Sequence, residues 1–192
     1  MVEVKSDDAG LEAAAATLNS GGVAVIPTDT VYGLAAHPSF PSAVERLYAI
    51  KDRSARKPIA LLASGVEAVK AFGGVLSERA SDLAAAHWPG PLTLILPAGG
   101  VREGFRVPAH EWTRRLLERC GGVLRVTSAN MSGCRPATDA VEALRSVGLD
   151  ADVVVDGGTS PGGTASAVVG FGEDGSIEIL RPGTLFPEKA GA

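Results

Sequence analysis

The chain has 192 residues and a formal net charge of −4, with 45% apolar and 21% charged residues, which suits one domain burying its own core without disulfides or a structural metal. Two cysteines, Cys120 and Cys134, are too few for a disulfide scaffold, and the acidic balance argues against a broad nucleic-acid-binding surface while leaving room for a local basic groove. No apolar run reaches the roughly 18 residues of a membrane span, and the polar start MVEVKSDDAG is unlike a secretory leader, so the expectation is a cytoplasmic protein with one domain over residues 1–192.

In chain order, LEAAAATLNSGG from Leu11 predicts an alanine-rich helix stopped by Gly21 and Gly22. VAVI (23–26), bounded by glycine and proline, predicts a buried strand. SAVERLYAIK (42–51) sets Val44, Leu47 and Tyr48 at helical spacing and ends on Lys51. IALLA (59–63) predicts a strand, SERASDLAAAHW (77–88) a helix capped by Ser77, and LTLIL (92–96) a strand. EWTRRLLERCGG (111–122) predicts a helix with Trp112, Leu116 and Cys120 four apart. VLRV (123–126) is a strand running into TSANMSG, and TDAVEALRSVG (138–148) a helix that Thr138 would cap. DVVVD (152–156), SAVVGF (166–171) and IEIL (177–180) predict closing strands, the last two forming an antiparallel hairpin around the Asp-Gly of GEDGS. Strands mixed with amphipathic helices give an α/β fold with a mixed parallel/antiparallel sheet.

Several familiar chemistries fail. GFGEDG (170–175) matches the dinucleotide fingerprint but leads into a strand where a helix N-terminus is required. GGTSPGGT (157–164) has Walker-like glycine spacing with Gly163 in place of the phosphate-binding lysine. His37, His87 and His110 are scattered without zinc-ligand spacing, Cys134 has no identifiable base partner, and no G-x-S-x-G elbow occurs. No covalent nucleophile is visible.

Three polar loops remain. PTDTVYGL (27–34) follows the strand VAVI, KDRSARKP (51–58) follows a helix, and TSANMSG (127–133) follows VLRV. Ligands of α/β sheets collect at strand ends, so these loops are candidates for one mouth. Lys51, Arg53 and Lys57 beside Thr28, Thr30, Ser128 and Asn130 would suit phosphates, lysine as a point charge and arginine as a planar fork. The plainer reading is a solvated helix end whose cations complement the last carbonyls. Residue chemistry alone leaves both open.

Taken together, GGVAVIPTDTVYGLAA, KDRSARKP, WPGPLTLIL, FRVPAH, TSANMSG and ILRPG resemble the Sua5/YrdC/YciO family over nearly the whole chain, in its short single-domain form. The resemblance implies a twisted sheet with flanking helices and a concave basic cavity. It also implies L-threonylcarbamoyladenylate synthesis from ATP, with Mg2+ on its phosphates, L-threonine and bicarbonate or CO2, for the threonylcarbamoyladenosine modification of tRNA. Lys51 and Arg53 take the catalytic positions and, with Lys57, Asn130, Thr138 and Arg181, the ATP site. Ser128 belongs to the same S-x-N element and, with Thr28, Arg106 and Ser166, to the threonine site; Thr30 and Tyr32 shape the loop. Implied partners are small-molecule substrates, with tRNA or the proteins that transfer the group to it, and no membrane. The sequence departs from the family pattern at Leu62, Arg102, Thr127 and Ala167, so the adenylating part is more complete than the amino-acid part. The rival readings are a related enzyme with a different carbamoylated acceptor, and a non-catalytic RNA-binding module.

Overall fold

The computed structural model describes residues 1–52, 54, 57–172 and 174–186. Its elements in chain order are β1 (Val2–Lys5), α1 (Asp8–Asn19), β2 (Val23–Ile26), β3 (Gly33–Ala36), α2 (Pro41–Ile50), β4 (Leu61–Ala63), α3 (Val66–Ala71), α4 (Glu78–His87), β5 (Leu92–Ala98), β6 (Val101–Arg106), α5 (Glu111–Arg119), β7 (Val123–Ser128), α6 (Ala140–Ser146), β8 (Val153–Asp156), β9 (Ala167–Phe171) and β10 (Ile177–Arg181). The described strands form one sheet in the order β1-β8-β2-β3-β7-β4-β6-β5-β9-β10. Strand β8 pairs parallel with β1 and β2, β4 with β6, and β5 with β9, whereas β2–β3, β3–β7, β4–β7, β5–β6 and β9–β10 are antiparallel. The mixed sheet and the terminal hairpin are as expected.

Local chemistry sets the helix starts. Asp7 accepts from Gly10 N at 2.8 Å, so α1 begins three residues before the Leu11 expected from its alanines. Ser77 caps α4 as predicted, accepting from Ala80 N at 3.2 Å. The cap of α6 is Asp139, which accepts from Glu142 N at 2.7 Å, in place of Thr138. The Thr138 amide and hydroxyl instead donate to Glu142 Oε2 at 2.8 and 3.0 Å. A carboxylate reaching back to the backbone outside the first turn completes this capping pair.

The two halves of the sheet are covered differently. Around β2 and β8 both faces are buried: Leu11, Leu18, Leu116 and Leu117 of α1 and α5 pack on Ala24, Ile26 and Val155, and α2 and α6 cover Val23, Val25 and Val154 with Leu47 and Ala143. This explains why VAVI is apolar at every position. In β5, β6 and β9 the sides alternate. Leu92, Leu94, Phe105 and Val169 face Val69, Ala80 and Ala84 of α3 and α4. Their neighbours Thr93, Ile95, Arg102, Gly104, Arg106 and Val168 line a cavity on the other side.

Candidate functional site

Strand β2 leaves through Pro27, whose carbonyl accepts from Thr113 Oγ1 of α5 at 2.7 Å. The following loop closes on itself: Thr28 Oγ1 donates to the Val31 carbonyl at 2.7 Å and accepts from Thr30 N at 3.1 Å. The Tyr32 hydroxyl donates to Gly158 O at 2.7 Å and accepts from Gly157 N at 3.0 Å, tying this loop to the glycine-rich segment after β8. Burial raises the Tyr32 phenol above its ordinary range, so it remains a proton donor at neutral pH.

Arg106, at the end of β6, is 6% exposed. Its Nε donates to Gly90 O at 3.0 Å, its Nη1 to Thr30 Oγ1 at 2.8 Å, and its Nη2 pairs with the Asp29 carboxylate. Burial lowers the guanidinium's pKa, Asp29 pulls it back up, and the neighbouring Arg181 lowers it further. Across the sheet, Ser166 Oγ lies 2.8 Å from Thr93 Oγ1, and Arg181 donates to both the carbonyl and the hydroxyl of Ser166, at 2.8 and 3.2 Å.

These groups share one cavity of about 380 Å³. Thr28, Thr30, Tyr32, Arg106, Ser128, Ser166 and Arg181, all expected at the site, line it, and so do Leu62, Arg102 and Thr127 among the departures. Ala167 is fully buried in the core beneath. Its described lining contains three arginines, Arg102, Arg106 and Arg181, and no carboxylate. Beside these arginines, of which Arg106 is paired with Asp29, the wall has aliphatic patches at Ile95, Val126 and Val168.

The remaining expected residues that are described stand outside that lining. Lys51 is not a solvated helix end: it is 2% exposed, and its ammonium donates to the carbonyls of Ser128 and Asn130. The chain escapes the helix at Asp52 with φ 47°, in the left-handed region that follows many helix ends. Asn130 donates from Nδ2 to Met131 O and Cys134 O, at 2.9 and 2.7 Å, while its buried Oδ1 has no hydrogen-bond partner among the described residues. Lys57 is exposed, next to Pro58 of the cavity wall. Thr138 donates its amide and hydroxyl protons into the α6 capping pair and keeps only its hydroxyl lone pairs for a ligand, and Arg53 lies outside the described residues. Sequence reasoning passed over Asp29 and Thr93, whose partners lie 77 and 73 residues away. Their signal was a polar residue inside a motif, with nothing local to pair it. Among the described residues no group of three His, Cys, Asp or Glu side chains could hold a metal, and no helix is long and apolar enough to cross a membrane.

Comparison with known proteins adds the lineage. The Sua5/YciO/YrdC family, described as "Telomere recombination", matches residues 16–183. A threonylcarbamoyl-AMP synthase of Pyrococcus abyssi is 33% identical over 182 residues, covering 90% of this chain and 53% of its own. One from Halorhodospira halophila is 37% identical over 154 residues, covering 75% of this chain and 81% of its own. The crystal structure of P. abyssi Sua5 complexed with L-threonine superposes with a TM-score of 0.87 at 31% identity, covering 95% of this chain and 57% of that one. Against the archaeal relative and one from Bacillus subtilis, the chain spans little more than half the relative's length, 53% and 57%. With the matching profile running through most of its length, the chain belongs to the Sua5/YciO/YrdC family.

Proposed function

We propose that this protein is a nucleotidyltransferase that makes threonylcarbamoyl-AMP from L-threonine, bicarbonate or CO2, and ATP, for tRNA modification in the cytoplasm. The observation that carries the reading is the make-up of the cavity: three arginines and a set of hydroxyls converge on the uncovered side of the sheet, with no carboxylate among the described lining residues. Relatives named threonylcarbamoyl-AMP synthase and one solved with L-threonine supply the substrate class.

In this reading the threonine carboxylate meets Arg106, which spends three of its five N–H donors on Gly90, Thr30 and Asp29 and keeps two for a ligand. Thr28, Ser128 and Ser166 surround the amino acid. Lys51, Arg53, Lys57 and Arg181 supply positive charge to the phosphates, and Asn130, whose Oδ1 has no partner among the described residues, holds the nucleoside with the hydroxyl oxygen of Thr138. Mg2+ would enter with the ATP substrate, held by its phosphates and not by a protein cage, and would offset their negative charge. The threonine amine and bicarbonate condense to a carbamate with loss of water. A carbamate oxygen then attacks the α-phosphorus, the bond to the bridging oxygen breaks, and pyrophosphate departs. The step needs placement and charge stabilisation but no protein nucleophile. Lys51 contributes doubly, since the ammonium that adds charge also fixes the backbone of Ser128 and Asn130.

The test is pyrophosphate release from ATP with each substrate omitted in turn. Release should require threonine and bicarbonate together. Arg53→Ala and Lys51→Ala should each lower turnover by roughly a hundredfold or more, with the circular dichroism spectrum unchanged for Arg53→Ala. Wild-type turnover in both variants would remove the proposed site.

A further inference from the structure

Thr93 is a polar residue in an otherwise apolar stretch of β5: Leu92 and Leu94 point into the core with Phe105, whereas Thr93 points into the cavity and is 5% exposed. Among the described residues its side chain has one polar contact, the Ser166 hydroxyl at 2.8 Å. Proton counting gives this pair a defined capacity. Two hydroxyls carry two protons, and one is consumed in the bond between them. Arg181 has only protons to give, so it occupies a lone pair of Ser166 Oγ and takes no proton from the pair. Whichever hydroxyl donates to the other, one O–H and at least one lone pair remain, on two side chains that are each 5% exposed. Immediately beside them are Ile95 and Val168, both lining the same wall. A hydroxyl pair flanked by branched aliphatic side chains complements a ligand carbon that bears both a hydroxyl and a methyl group.

We infer that Thr93 is a specificity-determining residue which, with Ser166, reads the β-hydroxyl of the amino-acid substrate while Ile95 and Val168 take its methyl. The inference rests on the proposed function. It adds the part of the site that selects a β-hydroxylated, branched amino acid over a plain aliphatic one. A polar pair left without its ligand hydroxyl stays buried and under-satisfied, which is how such sites reject the deoxy analogue.

The experiment compares kcat/KM for threonine and for 2-aminobutyrate, which keeps the methyl and lacks the hydroxyl, in wild type, Thr93→Val and Thr93→Ser. Valine matches threonine in shape and removes only the hydroxyl. The expected result is a fall of about tenfold in the threonine/2-aminobutyrate ratio for Thr93→Val, carried mainly by KM for threonine. Thr93→Ser, which restores the hydroxyl, should recover the ratio. An unchanged ratio in an active Thr93→Val enzyme overturns the inference while leaving the proposed reaction in place. So does an equal loss in Thr93→Ser, which would mark the methyl and packing as what matters. Absence of threonine-dependent turnover in the wild type would instead overturn the reaction itself.

Discussion

Asp29 and Arg106 form a nearly buried ion pair, with side-chain exposures of 10% and 7%, in a loop otherwise organised by hydroxyls. Such a pair contributes little net stability compared with apolar packing, but removing one partner strands the other charge away from water. Asp29→Asn should therefore destabilise the fold by about 3 kcal/mol, measured by urea unfolding. A loss near zero would mean that Arg106 finds another partner or more solvent than its position implies. Thr28 and Ser128, which line the cavity, stood out in the sequence because each sits in a short run of polar residues after an apolar strand. Asp29 sits in the same run, yet nothing near it predicted an arginine 77 positions on. Thr93 was hidden for the opposite reason: embedded in LTLIL, it reads as one more β-former. For Lys51 the sequence left two pictures open, a solvated helix end and an anion site; burial of its ammonium on the Ser128 and Asn130 carbonyls removes the first, and no local pattern could show this because those carbonyls lie 77 and 79 residues away.

Among the elements, helix starts were readable wherever a cap stood beside an apolar repeat, as at Ser77, and misplaced where the cap preceded small polar residues, as at Asp7. Strand β3 was taken as part of a loop: GLAA has little β-propensity, and it is a strand because β2 and β7 hydrogen-bond it from both sides. VREGFR was read only for its arginines, Arg102 and Arg106, because the glycine and charges of β6 mask an alternation completed by strand pairing on either side. Helix α5 starts on an unusual cap, His110, whose ring Nδ1 accepts from Thr113 N at 3.3 Å. Burial, with Arg114 adding to it and Asp29 opposing, holds this imidazole's pKa below the ordinary 6.5. The unfolded chain then binds the proton more readily than the folded one. The stabilising contribution is complete above about 6.5 and is lost as pH falls below it toward the depressed folded value. Protonation also removes the acceptor that caps the helix. Replacing His110 by asparagine, which caps without titrating, should flatten the fall in unfolding free energy between about pH 7 and 5. Parallel pH profiles for the two proteins would contradict this role.

At the scale of the molecule, function follows from unequal coverage of one sheet. Helices bury both faces around β2 and β8, while β5, β6 and β9 present one face to α3 and α4 and the other to the cavity. The class of sheet could be read from apolar runs and a hairpin turn. Its order could not, because β8 is inserted between β1 and β2 from the far end of the chain. That insertion and the crossings at β7 bring the threonine-rich loop, the S-x-N turn and the Arg181 strand to one mouth. The central claim is that this mouth joins threonine, a one-carbon unit and AMP into one molecule. The most direct measurement is the mass of the nucleotide product formed from ATP, threonine and carbon-13 bicarbonate. The account predicts a threonine-dependent adenylate that is heavier by the labelled carbon. A threonine adenylate without the label, or no threonine-dependent nucleotide product from folded protein, would contradict it.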